Sequence, residues 1–373
     1  MYYRRFGKTN LNLSVFSLGT MRYLVSEENA METIQQAVNM GINHIETARG
    51  YGKSEKYLGT ALVSGLRRGQ LYITTKITPT KDVSLIESSI DESLKNLNID
   101  YLDFLAIHGI NTREHLETTC NGIGALNKVL SDGRVKHIGF STHGPLEVIL
   151  AAINTDIFEF VNLHYYYFFQ RHAPAVKLAH QKDMGIFIIS PGDKGGQLYT
   201  APPTLQGLCQ PFSPLELNYR FLLSDPRITT LSVGAARPEE LEWPLTYSDR
   251  TEPLTPQETE ILQSLETQAL KRLETEKCSQ CYACLPCPED IHIPEVLRLR
   301  NLGLAYDMTD FAKYRYGMFE NAGHWFPGKK GNRCTECGEC LPRCPEKLDI
   351  PNLLKDTHET VSYTHLTLPT MLW

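Results

Sequence analysis

Ser26-Glu-Glu-Asn-Ala-Met-Glu-Thr-Ile-Gln-Gln-Ala-Val-Asn-Met-Gly41-Ile-Asn-His-Ile-Glu46 carries one whole unit of the fold. Ser26 ahead of two glutamates is helix-start chemistry, since a hydroxyl caps a free amide and acids suit the positive end. Apolar residues from Ala30 to Met40 recur at helical spacing, and Gly41 stands where a glycine ends a helix. Ile42–Glu46 is then a short apolar strand with a carboxylate at its end.

Worked outward, the same alternation runs over residues 1–265. Candidate strands are Val15–Leu18, Ile42–Glu46, Leu71–Lys76, Leu102–His108, Lys136–Ser141, Phe160–His164, Ile186–Ser190 and Ile228–Val233. Helical patterns between them include Leu85–Leu97, behind the caps Asp82 and Ser84, then Leu116–Leu130 and Pro214–Leu223. Gly185 marks another handover from helix to strand. Eight strands alternating with helices predict an α/β chain closed as a (β/α)8 TIM barrel. An open doubly wound sheet would want Gly-x-Gly-x-x-Gly after its first strand, where this chain has Leu18-Gly19-Thr20-Met21-Arg22.

In such a barrel the chemistry sits at the C-terminal strand ends. Glu46, Lys76, His108, Ser141 and Ser190 all end candidate strands, and Tyr51 follows the second. The plainer reading makes Glu46–Lys76 a salt bridge and His108 a hydrogen-bonded core histidine. Four such groups at matching strand ends favour a site.

Beyond the barrel, the chain changes character. Cys278-Ser-Gln-Cys281-Tyr-Ala-Cys284-Leu-Pro-Cys287-Pro and Cys334-Thr-Glu-Cys337-Gly-Glu-Cys340-Leu-Pro-Arg-Cys344-Pro hold eight of the ten cysteines. Three thiolates at every third position bind three corners of an iron–sulfur cube, and the cysteine before proline reaches the other cube. The crossed sets are Cys278, Cys281, Cys284 and Cys344 for one, and Cys334, Cys337, Cys340 and Cys287 for the other. Structural zinc also takes four thiolates, usually as two separated Cys-x2-Cys pairs. A third cysteine at once and a terminal Cys-Pro fit zinc less well. The isolated Cys120 and Cys209 read as ordinary thiols, and nothing suggests a disulfide framework.

Both runs are followed by an echo, Ile291-His-Ile-Pro294 and Leu348-Asp-Ile-Pro351, each opening a helix. The stretch Val296–Asn321 between the runs reads as helical, and a charged helical segment, Thr251–Glu276, leads in. The expected division is a barrel over 1–265, a small α-helical two-cluster ferredoxin-like iron–sulfur domain over 266–360, and a tail, 361–373. That tail has no periodic pattern and reads as non-native adapter sequence or a disordered end.

A net charge of −6 gives no reason to expect nucleic acid or an acidic membrane surface as partner. Met-Tyr-Tyr-Arg-Arg-Phe lacks an apolar signal core, and no apolar run is long enough for a bilayer, so a cytoplasmic location is expected.

The blocks Ile42-Asn-His-Ile-Glu46-Thr-Ala-Arg-Gly-Tyr51-Gly-Lys-Ser-Glu55, Ile73-Thr-Thr-Lys76 and Tyr101-Leu-Asp-Phe-Leu-Ala-Ile-His108 resemble the aldo/keto reductase superfamily. Similarity extends over about residues 3–250, and the cysteine-rich tail resembles the ferredoxin appendage of one branch. The resemblance implies carbonyl reduction with a nicotinamide cofactor, NADPH rather than NADH. It also implies a small-molecule carbonyl substrate, and the clusters point to a redox protein partner. Tyr51 would be the proton donor, with Lys76 lowering a phenol pKa that is ordinarily near ~10. Glu46 would fix Lys76, and neutral His108 would orient the carbonyl oxygen. The family usually has aspartate where this chain has Glu46.

Cofactor contacts are also implied by the resemblance. Ser141 and Thr142 match the carboxamide segment, with Thr142 where asparagine is usual, and Asn162 assists. Ser190 ends the seventh strand after Ile189, where the family often has a stacking aromatic; the run Tyr165–Phe169 could supply one or be core. Lys194 lies among glycines and reads either as a pyrophosphate contact or as a solvated loop lysine. Gly234, Arg237 and Glu240 resemble the adenosine-phosphate site.

A nicotinamide moves two electrons as hydride while a cluster moves one, and no flavin fingerprint divides the pair. Three readings stay open: a carbonyl reductase whose clusters dock a partner, sense redox state or serve structure; an electron-transfer protein; and a regulatory barrel holding nucleotide without turnover.

Overall fold

In the computed structural model, residues 1–23 and 26–362 are described. The tail reading falls almost wholly on 363–373, outside the described residues.

Among the described residues there are ten strands. β1 (Tyr3–Arg5) and β2 (Asn12–Ser14) form an antiparallel hairpin. The barrel strands are β3 (Phe16–Gly19), β4 (His44–Glu46), β5 (Tyr72–Ile77), β6 (Leu102–His108), β7 (Val135–Ser141), β8 (Phe160–Leu163), β9 (Gly185–Ile188) and β10 (Thr230–Val233). Each pairs in parallel with the next, and β10 pairs with β3, closing the eight-stranded barrel. The strands are buried on both faces, as a parallel sheet covered by helices must be.

Helix Glu27–Asn39 starts where Ser26 Oγ accepts the Asn29 amide, and Asp82 caps helix Val83–Leu97 in the same way. The pattern Leu116–Leu130 proves to be two helices, Arg113–Asn121 and Ile123–Ser131, broken at Gly122. A Cβ on Gly122 would lie 2.7 Å from the Thr80 carbonyl, so the packing admits only glycine.

One end of the barrel is filled by an apolar cluster of Phe6, Leu13, Phe104, Ala106, Phe160 and Phe187. Phe6 comes from the hairpin and stands edge-on to Phe104, centroids 5.2 Å apart. Register then sets the other end: His108 pairs with Ser141, and Ser141 with Asn162, placing three polar side chains on adjacent strand ends.

Packing divides the chain into two compact units. The first comprises Met1–Gly195 and Asn218–Leu254, which contain the barrel strands; the second comprises Gly196–Leu217 and Thr255 onward. The sequence reading puts a boundary at 265, whereas the whole helix Pro256–Leu273 packs with the second unit. That helix opens with a full capping box, Thr255 and Glu258. In place of Val296–Asn321 stand two helices, Ile293–Tyr306 and Thr309–Met318, separated at Asp307 in left-handed conformation. Among the described residues no helix is long and apolar enough to cross a membrane.

A Cβ on Gly185 would lie 2.3 Å from the Phe6 ring. Gly185→Ala is therefore expected to destabilise the barrel by about 1–3 kcal/mol. Combined with Phe6→Ala, its cost should fall short of the sum of the two, a coupling readable from denaturant midpoints.

Candidate functional site

Glu46 ends β4, and Lys76 lies near the end of β5. Their side chains are almost fully buried, with Lys76 Nζ 3.1 Å from Glu46 Oε1. The ammonium also donates to the Thr47 carbonyl at 2.9 Å and lies 3.2 Å from the Tyr51 hydroxyl. Tyr51 is half-buried in the loop after β4, and the His108 ring meets it edge-on with centroids 5.7 Å apart. All four residues expected at the reacting centre thus come together.

Burial raises the Glu46 carboxyl, although Lys76 and an amide bond from Asn162 Nδ2 pull it down. Burial also opposes charge on Lys76, but Glu46 and Tyr51 outweigh it and hold the ammonium above its ordinary range. Tyr51 departs from the expectation that Lys76 would lower its pKa. Burial pushes the phenol up, and Glu46 adds to it, so the downward pull of Lys76 only limits the rise. The structure presents a phenol that keeps its proton.

Hydroxyls support this loop. Thr20 Oγ1 donates to the Glu46 carbonyl at 3.0 Å, Ser54 donates to Thr20 at 2.6 Å, and Thr47 bonds Ser54 at 2.9 Å. Below the ion pair His44 bridges Ser17 and Thr74, at 2.7 Å each.

The residues expected around a nicotinamide divide. Ser141 Oγ accepts the Gly109 amide at 3.1 Å, beside His108. Asn162 holds Glu46 with its amide nitrogen, while its Oδ1 is buried without a hydrogen-bond partner. An orphaned acceptor next to Ser141 on adjacent strand ends suits an amide donor such as a nicotinamide carboxamide. The buried Thr142 hydroxyl donates to the Ile110 carbonyl at 2.8 Å and accepts from Gly144 at 2.9 Å, holding the turn. Ser190 sits in left-handed backbone at φ 53°, and its carbonyl takes the Lys194 amide at 3.0 Å. The aromatic run is largely wall: Tyr165 and Tyr166 are buried, and the Tyr166 hydroxyl bonds the Ile189 carbonyl.

At the β10 end, Gly234 and Arg237 are exposed. Arg22, not singled out in the sequence, crosses to this loop and donates to the Gly234 carbonyl at 2.9 Å and to Glu240 at 2.7 Å. Glu240 also takes the Ala236 amide at 3.1 Å, so its carboxylate is bound within the loop. A lone arginine after the first strand carries no sequence signal; only closure of the barrel brings it to the last.

The profile of the Aldo/keto reductase family matches residues 16–267. The chain belongs to the aldo/keto reductase family. A 4Fe-4S dicluster domain matches residues 277–348. Among relatives of this reductase is the Bacillus subtilis protein "Uncharacterized oxidoreductase YqkF", 22% identical over 300 residues, covering 70% of this chain and 95% of that one. L-galactose dehydrogenase of Arabidopsis thaliana is 31% identical over 164 residues, 40% of this chain and 51% of its own length. The aldo-keto reductase AKR11C1 from Bacillus halodurans, in its holo form, shares the fold at TM-score 0.63 and 20% identity, covering 71% of this chain and 96% of that one.

The thiols of the reductase's second unit fall into two groups. Cys278, Cys281, Cys284 and Cys344 line one cavity, and Cys287, Cys334, Cys337 and Cys340 line the other. Each cavity thus takes the first three cysteines of one run and the last of the other. Among the described residues, no three His, Cys, Asp or Glu side chains are arranged to hold a single metal ion. Four thiols lining one cavity suit the four corners of a cubic cluster. Burial pushes the Cys284 thiol up to about 12, and Cys278 and Cys281 add to it. Loading these sites must therefore displace protons.

His44 carries a pH signature. Burial, with Lys76 adding repulsion, pushes its imidazole down to about 3. An unfolded histidine takes a proton near pH ~6.5. The folded ring refuses it, so this group costs stability as pH falls from about 6.5 toward 3. His44→Gln loses hydrogen bonds at every pH but removes that cost. Its deficit in melting temperature against the parent should shrink between about pH 7 and 5.

Proposed function

We propose that this reductase converts an aldehyde or ketone to the alcohol with NADPH, and that its second unit holds two 4Fe–4S clusters in the crossed sets described. The observation that carries the first part is the Tyr51 hydroxyl, 3.2 Å from a buried ammonium at the barrel rim. When bound, the nicotinamide supplies the hydride. As charge grows on the carbonyl oxygen, Tyr51 gives it a proton. Lys76, charged and fixed by Glu46, steadies the phenolate that remains. His108, edge-on to Tyr51, directs an N–H at the same oxygen and sets its orientation. Ser141 and Asn162 Oδ1 would hold the carboxamide, and the Ser190–Lys194 turn would face the pyrophosphate. Two exposed guanidiniums, Arg22 and Arg237, border Gly234, which supports NADPH over NADH.

The raised phenol makes the acid a loaded one. In the reductive direction kcat/KM should stay level from about pH 6 to 9 and fall only above the ordinary phenol range near ~10. Tyr51→Phe should cut kcat/KM for aldehydes at least about a hundredfold, while NADPH binding, followed by nucleotide fluorescence, stays within about twofold. Nucleotide binding with no aldehyde consumed by the unaltered protein would favour the regulatory reading instead.

Each cluster, when bound, exchanges one electron. Anaerobically purified protein should hold iron and sulfide for two cubes. Cys281→Ser and Cys344→Ser should deplete the same cluster, and Cys337→Ser and Cys287→Ser the other, read by electron paramagnetic resonance. Zinc in place of iron, or loss of both signals from any one substitution, would overturn the crossed assignment.

A further inference from the structure

The two cysteine loops share one backbone. Gln280 and Glu336, two residues into each run, are both left-handed, at φ 62° and 55°. Tyr282 and Gly338, four residues in, are left-handed too, at φ 64° and 76°. Leu285 bonds the Tyr282 carbonyl at 3.1 Å, and Leu341 bonds that of Gly338 at 3.1 Å. Burial repeats as well: Cys281 and Cys337 are exposed, Cys284 and Cys340 buried. From Cys278 to Leu285 and from Cys334 to Leu341 the two loops therefore differ chiefly in side chains.

One difference bears directly on sulfur. The Glu336 amide donates to Cys334 Sγ at 3.4 Å, and Gln280 holds the matching left-handed position after Cys278. Gln280 places a neutral amide side chain there, with N–H groups that can donate. Its Nε2 has two hydrogens, and one is placed by the Pro294 carbonyl at 2.7 Å. Glu336 can only accept, and brings a negative charge to the matching position. Glu289 lines the cavity of Cys334, Cys337 and Cys340, and Glu339 lies in the same loop as Glu336. Arg343 opposes them, although its guanidinium is held by the Glu339 and Pro286 carbonyls at 2.8 and 3.0 Å. The first loop, from Cys278 to Cys284, carries no charged residue, and Glu346 lines its cavity.

We propose that Gln280 and Glu336 make the two clusters unequal, so that an electron prefers the one on Cys278, Cys281, Cys284 and Cys344. Reduction adds negative charge to a cluster, which donors to sulfur stabilise and nearby carboxylates oppose. An electron leaving the Cys334 cluster, oxidised in the step, enters the Cys278 cluster, reduced in it. No proton or third reactant is needed. The inference rests on the two-cluster reading above.

The test is a potentiometric titration of the anaerobic, full-length holoprotein with dithionite and mediators, followed by electron paramagnetic resonance. Two one-electron waves are expected, separated by at least a tenfold preference, which is 59 mV for such a couple. Gln280→Glu should lower the higher wave and leave the lower in place. Glu336→Gln, an exposed and isosteric change, should raise the lower wave. With both substitutions the separation should collapse or invert. Coincident waves in the parent, or Gln280→Glu acting on the lower wave, would overturn the ranking with two clusters still present. A parent protein without iron and sulfide would instead remove the two-cluster reading on which the ranking stands.

Discussion

A lysine and a glutamate almost without water at the rim of the barrel are the constraint around which the first unit is arranged. Neither charge is tolerable there alone, and deleting one partner of such a pair typically costs about 3–5 kcal/mol. The surroundings show how the charges are kept. Lys76 has a carboxylate, a carbonyl and a phenol within reach, and Glu46 has the Lys76 ammonium and the Asn162 amide. Glu46 is tethered again through its backbone, where Thr20 caps its carbonyl. Tyr51 takes its place as one more partner of the ammonium. The ion pair and the phenol are therefore held by the same set of contacts.

Much of this was legible because it depends on position along strands. Glu46, Lys76 and His108 are polar groups closing apolar runs, and a closed parallel barrel gathers such ends. The grouping of the thiols around two cavities was legible because their spacing limits which of them can meet. What escaped depends on contacts between distant segments. Strands of three residues, β1 and β2, offer no alternation to read, so the plug residue Phe6 went unnoticed. Gly122 splits a good helical pattern only because Thr80 approaches it. Arg22 and Glu240 are far apart in sequence and meet across the closing pair of strands.

The sign of the Tyr51 shift shows the same limit in energetic form. From the sequence, a nearby ammonium is the visible influence, and it lowers a phenol pKa. Burial cannot be read from residue types, yet here it is the larger effect and reverses the direction. The resting phenol therefore keeps its proton although a buried ammonium stands 3.2 Å from it.

The interior beneath that site is graded in polarity, and the grading explains His44. Phe6, Phe104 and Phe160 fill one end with hydrocarbon, and the ion pair occupies the other. Between them lies a ring whose two nitrogens are met by Ser17 and Thr74, with Phe6, Phe104 and Phe187 around it. A charged imidazole there would add a cation to Lys76 in a setting that already strains to hold one. A leucine would leave the Ser17 and Thr74 hydroxyls without this partner. Neutral histidine satisfies both without adding charge, letting the barrel pass from hydrocarbon to an ion pair within one enclosed stack.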